Sequence, residues 1–480
     1  MKERGSFRSN SGFLMAAIGS AVGLGNIWGF PYKMGKGGGF AFLLIYLLLA
    51  ALCGAVVLLG ELALGRRTGG NAITAYRQPS RAFRWVGYMA PVTSVLILAF
   101  YSALGGYCIR YLLLNVGSLF GAEWGTNGLD GASLFSALLT DQPVSVICGM
   151  AFLLITAVIV LLGVRGGIER FCSVGMPLLL AMLLVIILRA CTLPGAGAGL
   201  VFMFKPDLTP LREDFLGVLK TAGGQMFFSL SIASGVMVTY GSYLGKREDL
   251  GKNTVIIVLS DTLVGLLAGM AVLPAAFALG APEDAMQGPA LLFVTLQDVF
   301  GSMGRVGYFF GVMFYLLVVL AALASSVSML EVPVAYFTDR ALHGGKRQTE
   351  AGKPRRWLYV LAVTVFSGVL CAVTCADGLG SNGLWVPLQD LFSGGAVPTF
   401  CDCWLDLLDF ISEGLLMPLG ALFTCLMIGW ELKPDWVQQE VMLEGRRFGL
   451  YRAYYVCVRY ITPLIMLFIL WGQLKTFLNF

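Results

Sequence analysis

The chain has little charge and almost no histidine. Only 13% of its 480 residues are Asp, Glu, Lys or Arg, against about 25% in soluble domains. The single histidine, His343, lies in a basic loop. That nearly excludes His-based catalysis, a His-cluster metal site and a His proton relay. No nucleophile–base pair, metal-ligand cluster or phosphate-binding loop marks an enzyme. The eleven cysteines are scattered, several of them (Cys53, Cys108, Cys148, Cys371) inside apolar runs. They fit small buried hydrophobes better than a disulfide framework. Cys401 and Cys403 lack the further ligands that a zinc site needs. A cleavable signal is not expected either: Met1 to Ser11 is polar and basic, and the apolar run after it has no small-residue cleavage pattern.

What the chain has instead is apolar length. It is 57% hydrophobic, with a mean hydropathy of +0.79. These values indicate an all-α integral membrane protein whose first partner is the lipid bilayer. Segments long enough for membrane helices fall near 13–31, 40–64, 86–115, 144–163, 171–191, 217–243, 254–280, 305–338, 357–375, 405–429 and 454–476, which predicts eleven transmembrane helices. A shorter apolar piece near 289–300 reads as a helix in an outer loop. Of the 33 basic residues, 24 fall in the N-terminus and alternate loops. By the positive-inside rule the N-terminus is cytoplasmic and, with an odd helix count, the C-terminus is outside. This bias accounts for the net charge of +5, so no nucleic-acid partner is implied. The basic, signal-free start fits a bacterial inner membrane. Oligomeric state leaves no trace in the sequence.

The first apolar segment is interrupted at mid-depth by Gly19-Ser20-Ala21-Val22-Gly23-Leu24-Gly25-Asn26. Each glycine costs a helix about 1 kcal/mol relative to Ala, and unpaired backbone groups in lipid cost several kcal/mol each. Such a break is tolerable against a protein-lined cavity, where the freed carbonyls and N–H groups can bind a small solute. Five helices later a second interruption appears, Gly223-Gly224-Gln225 followed by Ser229-Leu230-Ser231-Ile232-Ala233-Ser234-Gly235. Breaks in helices one and six are what a 5+5 inverted repeat predicts, with helices 1–5 in 13–191, helices 6–10 in 217–429 and an additional helix 11 at 454–476.

Several pieces of the chain carry a family resemblance. They are Ala21-Val22-Gly23-Leu24-Gly25-Asn26-Ile27-Trp28 with Phe30-Pro31-Tyr32, then Gly60 to Arg66, Arg165 to Phe171, Gly224 to Ser231, and Arg459 to Pro463. With these motifs the chain resembles the neurotransmitter:sodium symporters, especially their bacterial amino-acid transporters of the leucine-transporter fold. The resemblance implies sodium-driven amino-acid uptake by alternating access, with unwound helices 1 and 6.

It also implies roles for residues. The substrate carboxylate would meet backbone N–H groups around Gly23, Leu24 and Gly25 and the hydroxyl of Tyr101. The amino group would meet carbonyls of Ala21 and Phe228 and the Ser231 hydroxyl. Ile97, Tyr101, Phe228, Ser231, Ser234, Ser325 and Met329 would line the side-chain pocket, with Tyr101 and Phe228 as a lid. Ser234 stands where relatives often carry a bulky aromatic, which predicts a neutral, apolar or aromatic L-amino acid. A first Na⁺ would use Ala21, Asn26, Ser229, Ser260 and Asp261. Asp261 is the most isolated charge of its apolar run, and an intramembrane acid is a functional candidate by default. In chloride-dependent relatives an anion near Tyr46, Gln225 and Ser229 balances the sodium charge; here Asp261 would supply it, making transport chloride-independent. A second Na⁺ would use Gly19, Val22, Ala321 and Ser325, but Ala324 replaces the usual hydroxyl or acid, so one or two ions bind.

For the gates, Arg4 and Asp339 match the inner pair, with Phe7 and Tyr243 beside them. Asp409 matches the outer acid, while Gly29 replaces its arginine. The favoured expectation is loss of the outer ion pair; the other is that Lys33, one turn later, reaches Asp409. Glu61 is expected to cap N–H groups freed at the helix-six break, and Glu331 has no assigned role. The competing functions are a non-transporting amino-acid sensor or channel on the same scaffold, and a proton-coupled transporter using Asp261 or Glu331.

Overall fold

A computed structural model describes residues 7–278, 280, 289–343, 356–387 and 403–478. Arg4, the expected inner-gate cation, lies outside them. Among the described residues the predicted apolar runs are helical apart from unwound stretches inside the first and the sixth. Among the described residues nine helices are long and apolar enough to cross a membrane, with one further pair bent by 47°. In chain order, the bent pair is α1 (Asn10–Ala21) and α2 (Gly25–Lys36). There follow α3 (Phe40–Thr68), the short α4 (Ala72–Arg77), α5 (Arg84–Phe120), α6 (Gly131–Thr140), α7 (Gln142–Leu161) and α8 (Val164–Cys191). The sixth expected segment appears as two pieces, α9 (Phe215–Ser229) and α10 (Val236–Gly241), each too short to span alone. Then come α11 (Leu250–Ala278), α12 (Leu291–Ser302), α13 (Gly304–Ala341), α14 (Arg356–Asp377), α15 (Trp404–Glu431) and α16 (Tyr451–Lys475). The expected count of eleven thus becomes nine continuous spans, one bent pair and one interrupted segment; α12 is the helix expected near 289–300.

Local chemistry sets the helix ends. Side-chain oxygens of Ser9, Asn71, Asp141 and Asp214 accept from the first free N–H groups of α1, α4, α7 and α9, the capping that a helix start requires. Gly69 ends α3 in the left-handed region at φ 59°, where a Cβ would be strained. The outer surface is greasy: Leu188, Val174 and Phe366 are more than half exposed, as lipid-facing side chains are. The interior is close-packed around tyrosines. Tyr46, Tyr101, Tyr107, Tyr111, Tyr240 and Tyr315 are fully buried.

The long α13 lies along α5 and against α8, and α1 packs on both α13 and α8. The break between α1 and α2 is therefore enclosed by protein, the condition under which an unwound backbone survives at membrane depth. One arginine ties the loop end of this bundle together. The Arg66 guanidinium donates to Glu440 Oε1 (2.8 Å), to the Glu440 carbonyl (2.5 Å) and to the Glu248 carbonyl (2.7 Å). It joins α3 to the loop after α10 and to the segment following α15. Replacing it by Met strands the buried Glu440 carboxylate. We expect Arg66→Met to cost about 3–5 kcal/mol, read as a lower unfolding midpoint in detergent. An unchanged midpoint would show that the pair is dispensable.

Candidate functional site

Two unwound stretches meet at the centre of the bundle. The first is residues 22–23, where Val22 leaves the helix at φ −78°, ψ 100°. The second is residues 230–235, where Ser231 (φ 51°), Ala233 (φ 60°) and Gly235 (φ 81°) adopt left-handed backbone. For non-glycine residues that conformation costs about 1–2 kcal/mol each, so neighbours must hold it. Glu61 Oε1 accepts the Ala233 N–H at 2.9 Å, the capping expected of it. The Ser94 hydroxyl donates to the Ser234 carbonyl at 2.7 Å, and the Ser234 hydroxyl to the Ser231 carbonyl at 2.7 Å. The breaks are tied to each other as well. The Ser231 hydroxyl donates to the Ser20 carbonyl (3.0 Å), and Gln225 Nε2 to the Gly25 carbonyl (2.6 Å).

Asp261 of α11 sits beside this junction, fully buried. Its carboxylate accepts from Asn26 Nδ2 at 2.8 Å, from the Ser229 hydroxyl at 2.9 and 2.8 Å, and from the Tyr46 hydroxyl at 3.1 Å. Asn26 Nδ2 also donates to the Asp261 carbonyl, and Asn26 Oδ1 accepts the Gly23 N–H. Among the described residues no basic side chain forms an ion pair with Asp261. A buried carboxylate bonded only to neutral donors is costly, and a small cation among its oxygen neighbours offsets that cost. The Asp261 carboxylate and the Ser229 hydroxyl are oxygen donors of the kind that Na⁺ takes, while Asn26 turns its Nδ2 toward Asp261 with its Oδ1 accepting the Gly23 N–H, and Ala21 is buried in the last turn of α1. Ser260 is half-buried on the adjoining face of α11, one residue and about 100° away, and contributes no hydrogen bond to this cluster.

On the other side of the break, the Leu24 N–H donates to the Tyr101 hydroxyl at 2.7 Å. The Tyr101 and Phe228 rings lie 6.2 Å apart at 47°. Ile97 is buried one turn before Tyr101 on α5, and Ser325 and Met329 are buried one turn apart on α13. A Cβ at Gly23 would collide with the Tyr101 and Ser325 hydroxyls, and one at Gly25 with the Phe228 ring. The glycines are thus needed for side chains to approach the backbone. N–H groups at a helix start beside a tyrosine hydroxyl form an anion-binding arrangement.

Of the expected second-ion residues, Ser325 and Gly19 meet. The Ser325 hydroxyl lies 3.4 Å from the Gly19 carbonyl and 3.0 Å from that of Ser20. Val22 is the first residue past α1, and Ala321 is buried one turn before Ser325. Ala324 places a methyl group toward Gly19 where a hydroxyl is expected. Sequence reasoning passed over Ser20 and Ser328, whose hydroxyls meet at 2.7 Å and pin α1 to α13. Small hydroxyls on two facing helices carry no distinctive sequence signal.

The outer side differs from expectation. Lys33 of α2 forms its ion pair with Glu413 of α15, with Asp409 one turn before Glu413 on the same helix. Lys33 Nζ also lies 5.8 Å from the centre of the Phe228 ring, within cation–π range. A charge pair therefore joins α2 to α15 despite Gly29, but through a glutamate that sequence reading overlooked. The signal was available, since Glu413 is the third acid, after Asp406 and Asp409, within one apolar segment. On the inner side, Asn71 donates twice to Asp339 (3.0 and 2.9 Å). Phe7 packs edge-on against Phe13, Tyr240 and Tyr243. Glu331, left without a role above, accepts from Tyr243 (2.8 Å) and pairs with Arg356 (2.5 Å).

Comparison with known proteins places the whole chain among transporters. A model described as the sodium:neurotransmitter symporter family matches residues 4–125 and 144–479. An uncharacterized sodium-dependent transporter of Bacillus subtilis (strain 168) is 35% identical over 469 residues, covering 96% of each chain. The human sodium- and chloride-dependent GABA transporter 2 is 26% identical, over 89% of this chain and 73% of its own length. Among solved structures, that of MhsT in complex with L-phenylalanine is similar at a TM-score of 0.84 and 33% identity, covering 98% of this chain and all of the other.

If Lys33 and Glu413 act as a unit, a double-mutant cycle detects it. Lys33→Met and Glu413→Gln should each lower the unfolding midpoint, and the double variant should lose no more than the worse single. We expect a coupling of about 1–3 kcal/mol; additive losses would dissolve the pair.

Proposed function

The chain belongs to the sodium:neurotransmitter symporter family, and from that membership we propose that it imports a neutral, apolar or aromatic L-amino acid together with sodium and without chloride. That it is a multi-pass membrane protein and a sodium-coupled transporter rather than an enzyme follows from the family. The substrate and ion details are our reading.

The observation that carries it is the buried Asp261 carboxylate, bonded to Asn26, Ser229 and Tyr46 and to no described cation. A Na⁺ held there by Ala21, Asn26, Ser229 and Asp261 is balanced by a fixed charge, which removes the need for a mobile anion. In this reading the substrate carboxylate takes the Leu24 and Gly25 N–H groups and the Tyr101 hydroxyl. Its side chain points among Ile97, Phe228, Ser234 and Met329. Two features support a large side chain: the small Ser234, and the L-phenylalanine carried by the structure of MhsT. A second Na⁺ at Gly19, Val22, Ala321 and Ser325 is weakly held because Ala324 offers no oxygen. Asp339, Arg4, and the Lys33–Glu413 pair beside Asp409 serve as inner and outer closures. The two repeats occupy 13–191 and 217–429, with 454–476 added. The membrane is a bacterial inner membrane with the N-terminus in the cytoplasm.

Uptake of labelled amino acids into proteoliposomes tests this. Accumulation should need an inward sodium gradient, proceed in chloride-free buffer, and be competed by Leu, Phe, Tyr or Trp. Preference for glycine or alanine would overturn the substrate class, collapse without chloride would overturn the charge argument, and binding without accumulation would indicate a sensor. Asp261→Asn should cut chloride-free uptake about tenfold or more, as expected when a charged hydrogen-bond partner is lost, with partial recovery in chloride. Ala324→Thr restores the missing hydroxyl. It should lower the sodium concentration for half-maximal uptake several-fold, about 1 kcal/mol for one added ligand; an unchanged sodium dependence would remove the second site from the mechanism.

A further inference from the structure

We propose that the chain holds an anionic phospholipid in a two-part crevice between α4, α5, α13 and α14, apart from the proposed substrate pocket and bordered by the inner-gate acid Asp339. The crevice has a polar chamber and an apolar groove. The chamber, of about 490 Å³, is lined by Asn71, Thr74, Arg77 and Gln78 beside Asp339 and Arg340. The groove, of about 470 Å³, runs over Pro91, Val92 and Leu96 of α5, Pro333 and Phe337 of α13, and Phe366 of α14. Ile73, Tyr88 and Tyr336 border both, so the two spaces adjoin.

The groove has a structural cause. Pro91 and Pro333 each remove a helical hydrogen bond and press on the preceding turn, and both border the same space. Both prolines stand inside continuous helices, where a ring in place of an N–H loosens the backbone ladder, and the groove lies between them. Val92 and Phe366 are more than half exposed and belong to spans that meet lipid tails.

The chamber supplies the head-group chemistry. Arg77 and Arg340 are exposed to it, and Arg340 donates to the Tyr336 hydroxyl at 3.2 Å. Its acid, Asp339, is buried and accepts two hydrogen bonds from Asn71. Two guanidiniums facing one buried carboxylate leave the chamber positive. Tyr88 and Tyr336 stand where polar meets apolar, as tyrosines do at membrane interfaces. A soluble anion would make no use of the groove, and a neutral sterol or lipid would make no use of the arginines. A basic pocket between membrane helices continuous with a tail groove fits an anionic phospholipid. Pro333 also frees the Met329 carbonyl, four residues back and next to the proposed substrate pocket. An occupant of the groove therefore bears on the helix that carries Ser325 and Met329.

The full-length protein in detergent, titrated with phosphatidylglycerol or phosphatidylcholine and read by native mass spectrometry, tests this. The protein should retain phosphatidylglycerol in preference by about thirtyfold, the effect of two basic residues near the head group. Arg77→Gln with Arg340→Gln should bring the ratio near one while sodium-dependent thermal stabilisation persists. A phosphatidylglycerol with a photoreactive acyl chain should label peptides containing 91–96 and 362–366. Equal retention of the two lipids by the unmodified protein, labelling elsewhere, or displacement by free glycerol phosphate would each overturn the proposal, whether or not the double variant folds.

Discussion

The structure is organised around one buried negative charge. Asp261 lies at membrane depth, is fully buried, and is bonded to an amide, a hydroxyl and a phenol. Each partner comes from a different element: Asn26 from the far side of the first break, Ser229 from the end of α9, and Tyr46 from α3. A carboxylate in that position demands donors, and meeting the demand fixes where three helices approach. The two breaks are then held in register by Ser231 on the Ser20 carbonyl and Gln225 on the Gly25 carbonyl. The charge that would bind the ion is thus part of the frame that shapes the binding site.

This coupling shows why the unwound backbone is affordable. The strained residues Ser231 and Ala233 have their neighbouring backbone groups taken by Glu61 and by serines on α5 and in the break itself. Strain of this kind persists only where surroundings over-determine it. The same network exposes backbone on the other side: a Cβ at Gly23 or Gly25 would meet Tyr101, Ser325 or Phe228. The glycines keep that surface open.

Much of this was legible in the sequence because it is local. The glycine-rich run, its counterpart five helices later and the isolation of Asp261 are all readable along one strand of text. Helix length follows from apolar length, so the spans were found with their boundaries near the observed ones. What was not legible is pairing at long range. Glu331 showed no role because its partner Arg356 lies 25 residues on, and the bond between them depends on how α13 and α14 pack. Ser260 adjoins Asp261 in sequence, but a helix turns about 100° per residue, so adjacency points it to another face. Ser20 and Ser328 are unremarkable in composition, and only the packing of α1 on α13 brings their hydroxyls to 2.7 Å.

The outer closure makes the same point in sharper form. Reading single positions, Gly29 in place of arginine implies a lost ion pair. Yet residues four apart share a helical face, and Lys33 follows Gly29 by four as Glu413 follows Asp409 by four. The observed pair joins these two substitutes. The elements and the signs of charge are those the resemblance implied; Lys33 is the cation that the alternative expectation named, while its partner is Glu413 and not Asp409. Such a contact needs only opposite charges facing each other across two helices, and any position on the right faces can supply them. Lys33 brings a further consequence, because its ammonium also lies over the Phe228 ring. The outer charge pair and the proposed lid over the substrate are therefore in contact, so a movement of α15 that draws on Glu413 is felt at Phe228 through one lysine side chain.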